Sequence, residues 1–369
     1  MSKAKIAAAA IAVVVALVVV IAALSALSTN DAGTPSRYEI IPDDAVKMLP
    51  QSDLYPPILH SDEWSMPVPM PGAINTAGAE DSPFISPDGN RFFFFFTPDV
   101  SVPAEKQLVD KVTGIWWCTK VNGSWTEPEK IILHDDVSLD GAEFVLGDTM
   151  WFASVRVGNL KEIDYYTAQF EDGVWGDVQN AGEQLNVEYD IGEMHITSDG
   201  DTMYFHTGEW SSDNDMDIYM MDRTTEGWSE PVEVPDINTD SIEGYPFISA
   251  DGNELWYTGP SKLGHPGPAL YRAIKDGTGW GEAEEIVSSF AGECTMDAEG
   301  NLYFVHHYFD EDMNMIEADI YVAYKNQRTA SASLNDTHAE VDIHPNPFEI
   351  DVESEEWSRD VEVSHTVSP

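Results

Sequence analysis

The chain has few cationic residues for its length. Its 369 residues include 18 Lys and Arg against 66 Asp and Glu, which gives a formal net charge of −48. A surface of this sign repels phosphate backbones and anionic lipids, so we expect no nucleic-acid partner and no membrane contact through the folded part. Because the acids are spread along the whole chain, they indicate a solvated, halophilic surface whose self-repulsion is screened by salt.

Cysteine is almost absent as well. The two cysteines are Cys118 and Cys294, and their spacing matches no metal-binding motif. We therefore expect free, half-buried thiols in two separate parts of the fold. No cysteine follows the apolar run at the amino terminus, and this excludes a lipid anchor of the bacterial type.

Long hydrophobic runs are absent except at the amino terminus. Residues 6–27 are apolar or small throughout, with Lys3 and Lys5 before them. The run is long enough to span a bilayer, and the charges on its two sides place the amino terminus in the cytoplasm. Residues 1–28 are thus predicted to be a signal peptide or a membrane anchor. The remaining chain is expected to be extracytoplasmic, either anchored by this helix or secreted after cleavage.

A unit of about fifty residues repeats along the rest of the chain. Its most visible element is a tryptophan followed, in the clearest copies, by Ser-x-Pro. The copies are at Trp64, Trp125, Trp175, Trp228 and Trp280. Each copy is accompanied by short β-runs, and four short strands per period are typical of a β-propeller. One such sheet cannot bury both of its faces, so the units must stack around an axis.

The hairpin turns of the repeat are also recognisable. An acidic residue followed by Gly separates two β-runs at Asp88-Gly89, Asp199-Gly200, Asp251-Gly252 and Glu299-Gly300. The sequences Phe-Ile-Ser-Pro-Asp-Gly at residues 84–89 and Phe-Ile-Ser-Ala-Asp-Gly at residues 247–252 resemble the TolB-type, WD-like β-propeller repeat. The resemblance covers about residues 64–325. It implies an all-β fold, a five-bladed β-propeller of four-stranded antiparallel blades.

The order of the elements predicts how the ring closes. Residues 64–68 match an outer strand but have no inner strands before them, whereas residues 319–323 form a third strand with no outer strand after it. We expect the first segment to complete the last blade, which leaves no open sheet edge at the seam. The predicted domains are then a linker at 29–63, the propeller at 64–326 and an acidic, disordered tail at 327–369.

Candidate site residues follow from the position of each blade's first strand, which lines the central channel of a propeller. Acids and aromatics at the entrance of these strands face the loops between second and third strands. The candidates for acid–base catalysis are Asp81, Glu143 and Glu193. The candidates for ligand binding are Arg156, Glu193, His206, Trp210, Tyr245, Glu293 and His306.

A weak metal-binding pattern lies in one of these loops. Asp213, Asp215 and Asp217 have the alternating oxygen spacing of a calcium loop. The segment has no Gly at the sixth position and no Glu at the twelfth, so a polar loop is the competing interpretation. No cofactor is required by any pattern in the sequence, and Ca²⁺ is left as an optional ligand.

Three functions are compatible with these residues. In the first, the acids and aromatics are only architectural parts of a repeated channel mouth. In the second, the mouth of a monomeric, non-catalytic propeller binds a glycan or an envelope or extracellular protein, as the TolB-like resemblance implies. In the third, two facing carboxylates hydrolyse a glycosidic bond, as in five-bladed glycoside hydrolases. Of the three functions, we favour the non-catalytic binding module.

Overall fold

The computed structural model describes residues 35–326 except 135–136, 190, 208–215 and 278. The predicted anchor at 1–28, the predicted tail at 327–369 and the candidates Trp210, Asp213 and Asp215 lie outside the described residues. The described part is an all-β structure, as predicted. Its helical segments are two four-residue helices, α1 (Arg37–Ile40) and α2 (Ala104–Gln107), and a π-helical turn at Gln184–Glu188. In this part of the chain no helix is both long enough and apolar enough to cross a membrane.

The strands form successive antiparallel groups, each of which begins with a first strand, and one parallel pairing between Ala318 and Ala79 joins the last group to the first in a single sheet. The first strands are β3 (Ala79–Ile85), β8 (Ser138–Leu146), β12 (Met194–Ile196), β17 (Gly244–Ile248) and β21 (Ala291–Met296). The second strands are β4 (Arg91–Thr97), β9 (Thr149–Arg156), β13 (Thr202–Thr207), β18 (Glu254–Pro260) and β22 (Leu302–Phe309). The third strands are β5 (Gly114–Val121), β10 (Asp164–Glu171), β14 (Asp217–Thr224), β19 (Pro268–Ile274) and β23 (Met315–Ala323).

The outer strands are shorter and in places broken into two-residue pieces. They are β6 (Ser124–Trp125) and β7 (Glu129–Lys130), β11 (Val174–Asn180), β15 (Gly227–Trp228) and β16 (Val232–Glu233), and β20 (Glu284–Ser288). The last group of strands takes its outer strand, β2 (Val68–Pro69), from the amino-terminal side of the described residues. A further strand, β1 (Ile58–Leu59), extends the fourth group beyond β20.

The pairing of β2 is the closure that the sequence predicts. Val68 pairs with Val322 and Pro69 with Tyr321 in β23, and Trp64 forms an isolated bridge to Lys325. The first strands also contact one another in the order β3, β8, β12, β17 and β21, and β21 in turn contacts β3. The inner strands therefore form a closed cycle of contacts around one centre.

Repeated polar motifs hold the hairpins in the same geometry. In the first group, the Ser86 hydroxyl donates to Asp88 at 2.5 Å, and the Gly89 N–H donates to the Ser86 carbonyl. Gly89 has φ +68°, a conformation that glycine adopts without a Cβ clash. Ser249 and Asp251 form the same hydroxyl–carboxylate contact in the fourth group at 2.7 Å. The sequence signature is therefore a turn motif, and it places the first and second strands in register.

A second repeated motif lies between an outer strand and the following first strand, and it binds a third strand. The Asn75 side-chain amide both donates to and accepts from the Ile320 backbone in β23. Asn238 makes the same two bonds to the Ile218 backbone in β14. The sequence Ile-Asn-Thr occurs at residues 74–76 and at residues 237–239, and its Asn is in both places a structural clasp on a third strand. The copy at Asn75 binds β23, the strand that pairs with β2.

Residues 35–63 pack against the sheets, although this segment belongs to the predicted linker. Arg37 is 2 % exposed and forms an ion pair with Glu80 at 3.0 Å. Lys47 forms ion pairs with Glu317 and Asp319, two buried acids of β23. The segment thus supplies cations to carboxylates that the sheets bury. We call residues 35–63 the leader segment.

Candidate functional site

Four of the five first strands share a bulge at the point where they line the same pocket. The ladder slips at this point in β3, β8, β17 and β21. The residues Ser82, Ala142, Tyr245 and Glu293 at the bulges have φ between 44° and 54°. Such a conformation is costly for a residue with a Cβ, and bulges of this kind re-aim side chains. The strain is repeated because it turns one side chain per strand toward the common centre.

The bulges surround a small pocket where the first strands converge; its cavity volume is about 50 Å³, and the empty space is about 450 Å³ when the open solvent at its mouth is included. All of the first strands contribute to its lining. The lining residues are Ser82, Pro83, Phe84, Ala142, Glu143, Phe144, Glu193, Met194, His195, Tyr245, Pro246, Phe247, Glu293, Cys294 and Thr295. We call this the axial pocket.

An aromatic layer forms the floor of the axial pocket. Phe84 and Phe144 meet edge to face with ring centroids 5.4 Å apart. The His195 ring lies 4.3 Å from Phe144 and 4.6 Å from Phe247. Burial lowers the pKa of His195 to about 3, so its imidazole is neutral at physiological pH. The floor is therefore an uncharged aromatic surface across the channel.

Carboxyl groups form the wall above this floor. Glu143, Glu193 and Glu293 line the pocket, and Ser82 Oγ donates a hydrogen bond of 2.8 Å to Glu293 Oε2. Asp81 precedes the bulge of β3, and its Oδ2 lies 3.5 Å from His307 Nε2. Three acids in first strands, together with Glu193 directly before β12, thus interact electrostatically with one another and have a single histidine partner among the described residues.

Crowding separates the protonation states of these acids. Burial, together with the charges of Asp81 and Glu143, raises the pKa of Glu193 to about 8. Burial raises the pKa of Glu143 and of Glu293 well above the usual range, and repulsion from Asp81 adds to both shifts. Burial acts in the same direction on Asp81, but its hydrogen bond to His307 and the charge of that ring prevail and lower its pKa.

Near neutral pH an ionised Asp81 therefore lies beside a protonated Glu193, and the pKa values of Glu143 and Glu293 are shifted in the same direction as that of Glu193. A protonated carboxyl group donates one hydrogen bond and accepts others, whereas a carboxylate only accepts. His307 has a raised pKa: burial opposes this, but the hydrogen bond and charge of Asp81 outweigh it. The wall thus offers donors and acceptors side by side, above an aromatic floor.

Glu143 is the acid with the fewest contacts. Glu143 is 6 % exposed, and neither of its carboxyl oxygens has a hydrogen-bond partner among the described residues. Buried polar groups in native proteins are almost always paired, so an unpaired carboxyl group in a pocket needs an explanation. A ligand that donates hydrogen bonds supplies one.

Other predicted site residues lie away from the axial pocket. Arg156 is buried in the second group, where it bonds Asp140 at 2.7 Å and stacks 4.4 Å over Tyr166. His306 pairs with Asp53 of the leader segment at 2.8 Å, and both side chains are fully buried. These contacts are those of packing residues.

His206 and Asp217 occupy intermediate places. His206 lies behind the pocket wall: its Nε2 accepts the Glu193 N–H at 2.9 Å and its ring is 5.0 Å from Tyr245. His206 thus contacts two lining residues, Glu193 and Tyr245, without lining the pocket itself. Asp217 begins β14, two residues after the end of the undescribed range 208–215. Within the described residues, no cluster of three or more His, Cys, Asp or Glu is arranged to hold a metal ion.

The two cysteines are free, as predicted, and both are more buried than expected. Cys118 is 2 % exposed and Cys294 is 7 % exposed. Burial raises the pKa of Cys118 to about 12 and raises that of Cys294 as well. Cys294 lies in β21 among the pocket-lining residues, but as a neutral thiol it is an inert part of the wall.

Comparison with known proteins finds no matching family model and no matching curated protein. Among solved structures, the chain is similar to TolB from Acinetobacter baumannii, with 15% sequence identity and a TM-score of 0.37. That match covers 68% of this chain and 55% of TolB, so the chain spans about half of that protein. It is also similar to an α-L-arabinofuranosidase from Lactobacillus brevis, with 11% identity, a TM-score of 0.42, and coverage of 66% and 90% of the two chains. These similarities assign no activity to the chain.

Proposed function

We propose that the chain is a five-bladed, TolB-like β-propeller that binds a glycan in its axial pocket and does not transform it. The closed cycle of contacts between the first strands and the pairing of β2 with β23 support the ring of blades. The apolar run at residues 6–27 supports a location outside the cytoplasm, where the propeller is tethered by that segment or released from it. Glycans of the envelope or the extracellular medium are available there.

The composition of the axial pocket is the observation that carries this proposal. A sugar ring has apolar C–H faces and a rim of hydroxyl groups that both donate and accept hydrogen bonds. The floor of Phe84, Phe144 and Phe247 matches the first property, and the wall of Glu143 and Glu193 matches the second. Binding sites for small ligands generally combine an apolar surface with a few convergent polar groups of shifted pKa.

A binding screen tests the proposal. The purified protein is titrated with a panel of oligosaccharides, and the solution is analysed for released sugar. We expect at least one oligosaccharide to bind and none to be cleaved. Tyr245→Ala should weaken binding by about 1–2 kcal/mol, because the aromatic ring lines the pocket. Ala142 already adopts the same positive φ at the equivalent bulge, so the substitution fits the backbone.

The control is Tyr324→Ala, which removes an exposed tyrosine that is not among the pocket-lining residues. It should bind as the unchanged protein does. The absence of binding to the whole panel, or an equal loss in both variants, contradicts a glycan site in the axial pocket.

Glycoside hydrolysis is the second candidate function. It is favoured by the separation of protonation states, because an ionised Asp81 and a protonated Glu193 are the pair that a general base or nucleophile and a general acid require. If the chain is a hydrolase, Glu193→Gln should abolish sugar release and retain ligand binding. Turnover in the unchanged protein that is lost in this variant would establish catalysis and overturn the non-catalytic module.

A further inference from the structure

Glu143 is a buried carboxyl group to which no other described residue donates a hydrogen bond, although its own backbone N–H acts to lower its pKa. It lies in β8 directly after the bulge residue Ala142, lines the axial pocket and is 6 % exposed. Both of its oxygens lack partners among the described residues. Leaving such a group unpaired costs free energy, and the cost disappears when a ligand donates to it. The Glu143 carboxyl group is therefore available to a hydrogen-bond donor of a ligand in the pocket.

The surroundings of Glu143 define the chemistry of that group. Three other acids act on Glu143 or on one another by charge repulsion. They are Asp81 in β3, Glu193 directly before β12 and Glu293 in β21. The neighbouring rings are His195 on the floor, which is neutral, and Tyr245 on the wall. His307 from β22 is the cationic partner, and it lies against Asp81. His307 also acts on Glu293, whereas no cationic group among the described residues acts on the pKa of Glu143 or Glu193.

We infer that the ligand of the axial pocket is a cationic amino sugar, whose ammonium group binds against the unpartnered carboxyl group of Glu143. This inference rests on the proposed glycan-binding function and narrows its ligand class. An ammonium group carries three donors and no acceptor, which suits a cluster of carboxyl oxygens. Its hydrogen bonds to a carboxylate are charge-assisted and stronger than those of a neutral amide or hydroxyl group.

Binding of the cation is coupled to proton release. Burial raises the pKa of Glu143 well above its ordinary value, and the charges of Glu293 and Asp81 add to this shift. When the ammonium binds, the O–H bond of the Glu143 carboxyl group breaks, its proton leaves to solvent and the electron pair stays on the carboxylate that the ammonium contacts. The affinity should then rise with pH as long as the ligand amine remains protonated. The net charge of −48 also favours the approach of cations.

The test compares two ligands that differ only at nitrogen. A β-1,4-linked glucosamine oligosaccharide and its N-acetylated counterpart of equal length are titrated calorimetrically into the protein at pH 6, in molar salt. At this salt concentration the Debye length is about 3 Å, so attraction by the general surface is suppressed. We expect the free amine to bind about tenfold more tightly or better. Its enthalpy should depend on the ionisation heat of the buffer, which reports the released proton.

Glu143→Gln is the decisive variant, because the amide has nearly the shape of the acid and cannot ionise. We expect the ratio of the two affinities to fall toward one, and Glu233→Gln on the exposed strand β16 to leave the ratio unchanged. The melting temperature of each variant verifies folding.

The outcomes separate the inference from the proposed function. Equal or tighter binding of the N-acetylated ligand overturns the cationic ligand and leaves the glycan site standing. A preference for the amine that persists in Glu143→Gln also overturns the inference, because the ammonium then lies elsewhere. If neither these ligands nor any oligosaccharide of the wider panel binds, the proposed function fails and this inference fails with it.

Discussion

Two kinds of buried glutamate occupy neighbouring positions in the first strands. Glu80 and Glu243 precede the bulge and accept hydrogen bonds from the backbone and hydroxyl groups of Thr76 and Thr239. Glu193, by contrast, lines the axial pocket. The same residue type is thus a structural acceptor at one position and a site residue at the next.

The pH dependence of stability tests the state of Glu193. Its pKa is about 8 in the folded protein against an ordinary value of 4.5. A raised carboxyl pKa contributes stability at low pH, and this contribution is lost as the pH rises from about 4.5 to 8. The melting temperature should therefore fall less between pH 5 and pH 8.5 in Glu193→Gln than in the unchanged protein. Parallel curves for the two proteins would show that the residue is ionised like a surface acid.

Most of the pocket wall was predictable from sequence, because a repeat places equivalent residues at equivalent depth. Glu143, Glu193, Tyr245 and Glu293 follow from aligning the copies. Arg156 does not, because its partner Asp140 lies on a different strand and no period relates the two. Long charged side chains can turn to solvent or to a buried acid, and only the packing around them decides which.

At the scale of elements, the leader segment is the part that the sequence described least. It has no period, and its proline-rich composition is typical of a linker. In the structure Ser289 Oγ donates to the Tyr55 carbonyl at 2.8 Å, and β1 pairs with β20. These contacts come from single side chains and short backbone pairings, which leave no pattern in a sequence. The outer strand β2, in contrast, was predictable because it copies a repeated element.

Breaking the buried pair between the leader segment and β22 should reveal the contribution of this segment. Asp53→Ala leaves His306, which is fully buried, without its partner. Leaving a buried hydrogen-bonding group without its partner costs about 1–3 kcal/mol. Urea unfolding measures the change, with Asp62→Ala on an exposed neighbour as the matched control. Equal midpoints for the two variants would mean that the leader segment contributes little to the fold.

The closing outer strand makes a similar prediction for an entire element. Trp64 is 2 % exposed, and its indole N–H donates to the Gly300 carbonyl at 2.9 Å. Deletion of residues 60–70 removes this contact and β2, and exposes the edge of β23. We expect a lower melting temperature and a broader transition by calorimetry, because the last sheet loses its cover. A truncated protein that melts as sharply and as high as the intact one would rule out closure by β2.

At the scale of the whole molecule, the charge of −48 opposes the compact state. Stability should rise with potassium chloride up to molar concentration, as screening weakens the repulsion between surface acids. The melting temperature in low and high salt measures this effect. A curve that is flat in potassium chloride and rises sharply with millimolar calcium would instead indicate a specific cation site, of which the loop around Asp217 is the predicted location.

The central claim is that the five first strands together build one glycan-binding pocket on the molecular axis. A crystal structure of the protein with the tightest-binding oligosaccharide of the panel tests it most directly. The account predicts a sugar ring over the floor of Phe84, Phe144 and Phe247, with a donor group within hydrogen-bond distance of Glu143. An oligosaccharide bound on the outer strands or the hairpin turns, with the axial pocket empty, would contradict the account.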